Sequence, residues 1–502
     1  MKSKSTDEIE RDIIIAGAGM GGLTAGALLS KSGYDVQILE ASHVPGGCSS
    51  SYFRKGYIFE SGATTLIGFD EHQPLKQLES MLDIQIPKVP LDPSMSVHMN
   101  GKEIVRYQEK QKWIDEAAEH FGEKNEQQSF WDLAFEVSDV VWKVSEKNIH
   151  FPPIEWQDYF KLLKNDIRDL WVLPYTMKSV KKTAIECGIS NTEFYRFLDE
   201  QLMISSQADS EQTPFLFGAP AITYTNSANY YVPGGLIEMV RTLTSKLEDF
   251  GATLTTRCKV ISVEQENGSV LVRDNKGGSY RCRVFISNIP VWNMPDITQG
   301  AMGDYFQKEA SKYEEAWGAF TMGIVTDDTY PDNMPLHHQI HLEENDKLPG
   351  LNSGSIFVSL SGKGDNKRAK EGERVLNVST HTEPDFWFNL NGEYEEIKSL
   401  VEDKILQVLK SKLSGFGDAK IKLHFGATPV SWSNWIFRKK GRVGGIPQSA
   451  DRSLLDWTPN KTPFDGIYLC GDTVFPGQGI PGVTLSGIYV YYRVLKYLQK
   501  KR

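Results

Sequence analysis

The run Asp12-Ile-Ile-Ile-Ala16, followed at once by Gly17-Ala18-Gly19-Met20-Gly21-Gly22, restricts the possible folds of this chain more than any other stretch. A short Ile-rich segment bounded by glycines reads as a buried strand. Residues 21–32 place Leu23, Ala27 and Leu28 on one helical face, and residues 35–40 form a second strand. Strand, glycine turn, helix and strand within about thirty residues make a βαβ unit. Gly17, Gly19 and Gly22 match GxGxxG. The first glycine permits the tight turn, the second lets backbone approach a pyrophosphate, and the third packs helix on strand. The pyrophosphate would rest on the helix N-terminus, whose free N–H groups and dipole favour an anion. Glu40 ends the second strand, where a carboxylate can accept hydrogen bonds from ribose hydroxyls and would repel a 2′-phosphate.

A chain of 502 residues predicts two or three domains. Its composition, 40% hydrophobic and 24% charged, is that of a folded protein. The net charge of -10 argues against a nucleic-acid partner. Basic runs at Lys178–Lys182, Arg438–Arg442 and Lys500-Lys501-Arg502 read as solvated faces, with anionic lipid heads as the alternative. Cys48, Cys187, Cys258, Cys282 and Cys470 are scattered without a CxxC, which argues against a disulfide framework or zinc site and for a reducing compartment. The first twelve residues are polar, and no apolar run reaches the eighteen or so residues that span a bilayer. The expected location is cytoplasmic, in solution or on a membrane surface.

Helical spacing dominates residues 105–215, in stretches such as FWDLAFEVSDVVW and IEWQDYFKLLKNDIRDLWVL. A helix is expected over 236–250, closed by Gly251, and a last one beginning near Val483. Strands are expected at 253–264, 269–274, 279–286, 317–325 and 375–381. With no Pro/Ser-rich linker, the domains should interleave. The expected division is a discontinuous nucleotide-binding domain (1–104, 222–300, 420–502), a helical insertion (105–221) and a substrate-binding domain (301–419).

Glu40-Ala41-Ser-His-Val-Pro-Gly46-Gly47 runs into Cys48-Ser49, and this second glycine pair resembles the GG motif of glutathione-reductase-like flavoenzymes. The resembling branch includes amine oxidases and carotenoid desaturases, in which the loop wraps the diphosphate. Many members carry Arg after the pair. Cys48 stands here instead, which removes a charge-assisted contact and moves the match away from amine oxidases. Gly471-Asp472 ends a strand, where the resemblance implies an Asp on the ribityl chain. Gly482-Val483-Thr484 lies in a glycine-rich turn opening the last helix, which can aim N–H groups at the flavin's pyrimidine edge. Val260, in CKVISVE, resembles the strand whose backbone reads the adenine edge.

Further segments narrow the family. FESGATTLIGF (59–69), containing Gly62, Ala63, Thr64 and Thr65, resembles a stretch of carotenoid desaturases and isomerases. So do TYTNSANYYVPGGLIEMVRTL (223–243), ATPVSWSNWIFRKKGRVGG (427–445) and FPGQGIPGVTLSG (475–487). Together they resemble the phytoene desaturase-like FAD-dependent oxidoreductases, leaning toward carotenoid 3,4-desaturases. Glu60 stands where Asp is usual, and Phe475 where His is. The implied fold is α/β: a Rossmann FAD-binding domain interleaved with a mixed-sheet substrate domain and a helical, lipid-contacting insertion. The implied cofactor is FAD, held by the residues named from Gly17 to Thr484, Ala18, Met20 and Gly21 among them.

The resemblance implies hydride transfer from an apolar polyene to flavin N5, creating a conjugated C=C, with oxygen or a quinone as acceptor. No catalytic side chain is assigned, because the polyene delocalises the cation itself. Alternatives are a polyene cis–trans isomerase, a phytoene-type desaturase or a saturase. From another class comes a non-catalytic prenyl-binding escort protein of the same fold, against which Gly471-Asp472 and Gly482-Val483 argue. Phe130, Trp131, Trp142, Trp156, Tyr159, Phe160 and Trp171 fit, as a group, an apolar channel or lipid-contacting surface. His337, His338 and His341 in LHHQIHL read as a polar strand or loop, and no metal is expected. His43 and His72 are positioned along the chain where a proton could be passed.

Overall fold

Ile13 and Ile15 enter one hydrophobic core while Ile14 and Ala16 enter another, which is why this strand is apolar without alternation: both of its faces are covered. The computed structural model describes residues 8–501 apart from 155, 163–166, 267, 314 and 450–451; the side chains of 159, 161, 162, 167 and 454 also lie outside the description, as do residues 1–7 and Arg502. The first strand, β1 (Ile9–Ala16), leads into helix α1 (Met20–Lys31) and strand β2 (Val36–Leu39). β1 pairs parallel with β2 on one side and with Ser279–Ser287 on the other. Thr253–Thr255 extends the sheet beyond β2, and Ile467–Leu469 pairs parallel with the end of Ser279–Ser287. Val260–Glu266 and Ser269–Asp274 complete it as an antiparallel flank.

α1 packs against the final helix, Gly479–Lys500, with backbone almost touching backbone. A Cβ on Gly487 would lie 2.5 Å from the Gly21 carbonyl oxygen. The two ends of the sequence thus meet over the C-terminal edge of β1.

The second sheet has the order Ile421–Ala427, Gly318–Asp327, Glu373–Thr382, Ser355–Leu360, His337–His341, Met95–Met99, Lys102–Arg106. Residues 95–104 and 421–427, grouped by the sequence with the nucleotide-binding segments, and residues 105 and 106, grouped with the helical insertion, therefore belong to this sheet. Ser96 pairs with His338, and Ala427 with Thr321. Pairing between such distant segments leaves no local mark in the chain. Of the strand and loop alternatives for LHHQIHL the structure has the strand, His337–His341, which is buried within the sheet, and burial pushes the imidazoles of His338 and His341 down to about 3.

The helices Lys110–Phe121, Lys124–Lys147, Thr192–Ser205 and Phe215–Thr223 share a core with one face of this sheet. Tyr394–Lys412 covers the other. Phe130 and Trp131 are fully buried in the helical core. Trp156, Phe160 and Trp171 point outward, at 69%, 58% and 41% exposure. The Tyr159 side chain lies outside the described residues.

Candidate functional site

A cleft opens at the C-terminal edge of β1, lined by Gly17, Gly19, Met20, Gly21, Glu40, Ala41, Gly46, Gly47, Cys48, Ser49, Val260, Gly471, Asp472 and Val483. Segments from the beginning, middle and end of the chain thus face one space. The turn leaves β1 through Gly17, at φ +95°, a conformation that side chains other than glycine's rarely adopt. Gly22 closes it: a Cβ there would lie 2.3 Å from the Gly17 carbonyl oxygen. α1 begins with Gly19 at its N-cap, which has no side chain to cap the helix, so the Met20 and Gly21 N–H groups of its first turn are left to whatever occupies the cleft.

Asn288, which no motif marked, organises this turn. Its N–H donates to the Ala16 carbonyl at 2.8 Å, fixing it one residue beyond the strand next to β1. Its Oδ1 accepts the Gly22 N–H at 3.0 Å. Recognising it requires the knowledge that Ser279–Ser287 is the neighbour of β1, and the sequence does not say so.

Glu40 is held by backbone. Oε2 accepts the Ala18 N–H at 2.6 Å and Oε1 accepts the Ser42 N–H at 2.7 Å. Each oxygen keeps a second lone pair, suiting the carboxylate to a pair of hydroxyls. Burial raises its pKa, and the backbone donors only partly offset that. The Gly46 N–H donates to the Ala18 carbonyl at 2.7 Å, folding the Gly46-Gly47 loop onto the glycine turn.

Arg438 corrects the reading of its basic run as a solvated face. Its guanidinium is buried beside the cleft and donates to Asp472 Oδ2 at 2.8 Å. Its Nε donates to the Arg442 carbonyl. Burial opposes its charge, but Asp472 and Cys48 outweigh that and raise its pKa. Burial likewise pushes the Cys48 thiol up, against the pull of Arg438. Burial thus disfavours the thiolate form of Cys48 that a nucleophile would need.

The remaining expected residues stand behind or beside this lining. Ala18 is buried and acts through its backbone. The Ala63 N–H donates to the Cys48 carbonyl at 3.0 Å, and Gly62 packs between that carbonyl and Trp432. Thr64 and Thr65 are half-buried and do not line the cleft. The strand before them ends at Glu60. Gly482 packs against the Gly477 carbonyl. The Thr484 hydroxyl is buried without a hydrogen-bond partner. His43 is exposed, and His72 contacts Glu146 at 2.6 Å; neither reaches the cleft.

A helix start with first-turn N–H groups still open, a carboxylate with spare lone pairs and one buried guanidinium fit a dinucleotide with its diphosphate at the glycine turn. Residues 20–495 match the family of flavin-containing amine oxidoreductases. A prolycopene isomerase of Daucus carota is 27% identical over 97% of this chain and 80% of its own length. A 4,4'-diapophytoene desaturase of a Methylomonas species is 22% identical over 94% of this chain and 93% of its own. These relatives fall in the carotenoid desaturase and isomerase group that the sequence motifs resemble. Among solved structures, a single mutant of putrescine oxidase reaches a TM-score of 0.65 at 14% identity, covering 97% of this chain and 99% of its own; that likeness speaks to fold alone. The chain belongs to the flavin-containing amine oxidoreductase family, a mixed α/β oxidoreductase with FAD as its cofactor.

Proposed function

We propose that this protein alters a double bond of a carotenoid-type polyene, with cis–trans isomerisation as the reaction. The observation that carries the reading is the make-up of the cleft. Among its described lining residues it gathers groups suited to a dinucleotide but no nucleophile–base pair. Such a site suits a hydrocarbon that spreads charge over its own conjugation. The match at 26–27% to prolycopene isomerases, against 22% to a desaturase, favours isomerisation. Desaturation is the second reading, supported by the closing segment FPGQGIPGVTLSG, and it would need oxygen or a quinone as acceptor.

Glu40 would hold the ribose, Val260 the adenine edge, and the turn Gly17–Gly22 with Gly46-Gly47 the diphosphate. Arg438 would supply the cation that Cys48 does not. Asp472 would meet the ribityl chain, and Gly482-Val483-Thr484 the pyrimidine edge. Bound there, FAD supplies the redox chemistry. The protein's part is orientation and exclusion of water. Arg438→Gln should weaken FAD binding by about 1.5–3 kcal/mol, the worth of a charged hydrogen bond. Fluorescence titration of the apoprotein measures this, and an unchanged affinity would remove Arg438 from the site.

The outward-facing Trp156, Phe160, Trp171 and Met177 support docking on a membrane surface, where an apolar substrate dissolves. Flotation with lipid vesicles would read it; protein left wholly at the bottom would reject it. No helix among the described residues is long and apolar enough to cross a membrane. The reaction itself is tested by giving the FAD-loaded protein a poly-cis carotene in vesicles. Unchanged mass with altered retention means isomerisation, and loss of two hydrogens means desaturation. An untouched pigment across a panel of carotenes would sink the polyene reading.

A further inference from the structure

The second sheet gathers three metal-ligating side chains that the cleft does not use. His98 stands on Met95–Met99, Glu103 is its cross-strand partner on Lys102–Arg106, and His338 stands on the strand parallel to Met95–Met99. Their ligand atoms all lie within 4.8 Å of one another. The sequence alone offered only LHHQIHL; pairing of distant strands adds the other two residues.

The two imidazoles are already set at a useful spacing. His98 Nε2 and His338 Nδ1 are 3.1 Å apart. Two nitrogens bound at 2.0–2.1 Å to one tetrahedral ion would be separated by roughly 3.3 Å. The tautomer of His338 is fixed as well. Its Nε2 lies 2.8 Å from the Pro335 carbonyl, which can only accept, so Nε2 carries the hydrogen and Nδ1 the lone pair. An imidazole oriented through its other nitrogen by a carbonyl is the outer support that metal-binding histidines use. In the metal-free protein the His98 Nε2–H meets that lone pair. Moving its hydrogen to Nδ1 frees a second lone pair beside the first.

His338 is buried and His98 half-buried, so the two imidazoles are held in place by the sheet around them. Glu103 is exposed and long enough to close on a third ligand position, leaving a fourth for water. Two imidazoles and a carboxylate suit zinc and its neighbours better than calcium or magnesium.

We propose that His98, His338 and Glu103 bind one divalent transition-metal ion, such as Zn²⁺, on the second sheet. The ion pins the hairpin of residues 95–106 to the strand His337–His341, joining an early segment of the chain to a late one. This site is independent of the flavin cleft and of the reaction assigned to it.

The test uses untagged, FAD-loaded full-length protein treated with a chelator and titrated with Zn²⁺ against a chromophoric competitor. One equivalent should bind saturably. His98→Asn and Glu103→Gln should each weaken binding at least tenfold while flavin content per mole of folded protein stays that of the parent. Zinc should raise the melting temperature of the parent protein and not that of His98→Asn. Absence of saturable one-to-one binding would overturn the proposal. So would binding of equal strength in His98→Asn, which would assign the zinc to thiols elsewhere.

Discussion

A Gly19→Val protein should fold and carry no flavin. Gly19 sits at φ −70° and ψ 171°, extended backbone that valine adopts readily, so the substitution strains no local conformation. The obstacle is space. A Cβ there would lie 2.6 Å from Asn288 Nδ2. Asn288 can withdraw only by giving up the Gly22 N–H that its Oδ1 accepts. The two methyl groups would then occupy the cleft at the start of α1, where the diphosphate has to approach the backbone. Far-ultraviolet circular dichroism should match the parent while visible flavin absorbance per mole of protein falls to background. Full flavin content would show that the diphosphate does not approach this turn. Gly22→Ala is a different experiment, because its Cβ meets backbone at Gly17 and the damage would be to the fold.

Glu60→Ala should destabilise the protein by about 3–5 kcal/mol, the cost of stripping one partner from a buried ion pair. The Glu60 and Arg368 side chains are 3% and 1% exposed, with Oε1 and Nη1 3.1 Å apart. Glu60 also accepts the Ser51 hydroxyl at 2.5 Å and the Leu236 N–H at 3.2 Å. Ser51 in turn accepts the Ile237 N–H at 3.1 Å. The carboxylate therefore neutralises an arginine from the 361–372 loop and anchors the start of the helix Ile237–Asp249. Alanine removes the ion-pair partner of a buried guanidinium. Asp, one methylene shorter, should lose less. Denaturant unfolding followed by tryptophan fluorescence measures both variants, and a loss below about 1 kcal/mol for alanine would mean that the pair carries little of the stability.

What the sequence revealed follows from how far each signal had to travel along the chain. The first βαβ unit was legible because the apolar run Ile13–Ile15, the glycines and Glu40 are near neighbours. The second sheet was not, because Met95–Met99 finds its partner at His337–His341. Arg438 lay hidden in a run that reads as surface until Asp472 is seen beside it. The aromatic residues of the helical insertion divided, with Phe130 and Trp131 inside and Trp156 and Phe160 outside. Helical spacing fixes which side chains share a face, but it does not say whether that face has a partner. Glu60 was visible as a departure from its family, while its ion pair with Arg368 was not.

The contact between Gly21 and Gly487 has a bearing on biosynthesis. A ribosome emits the opening glycine turn long before it makes the residues that lie against it. The nascent polypeptide holds one wall of the cleft, and the opposite wall arrives only with residues 471–487. A ligand that needs both walls is thus captured only after that later segment has been made.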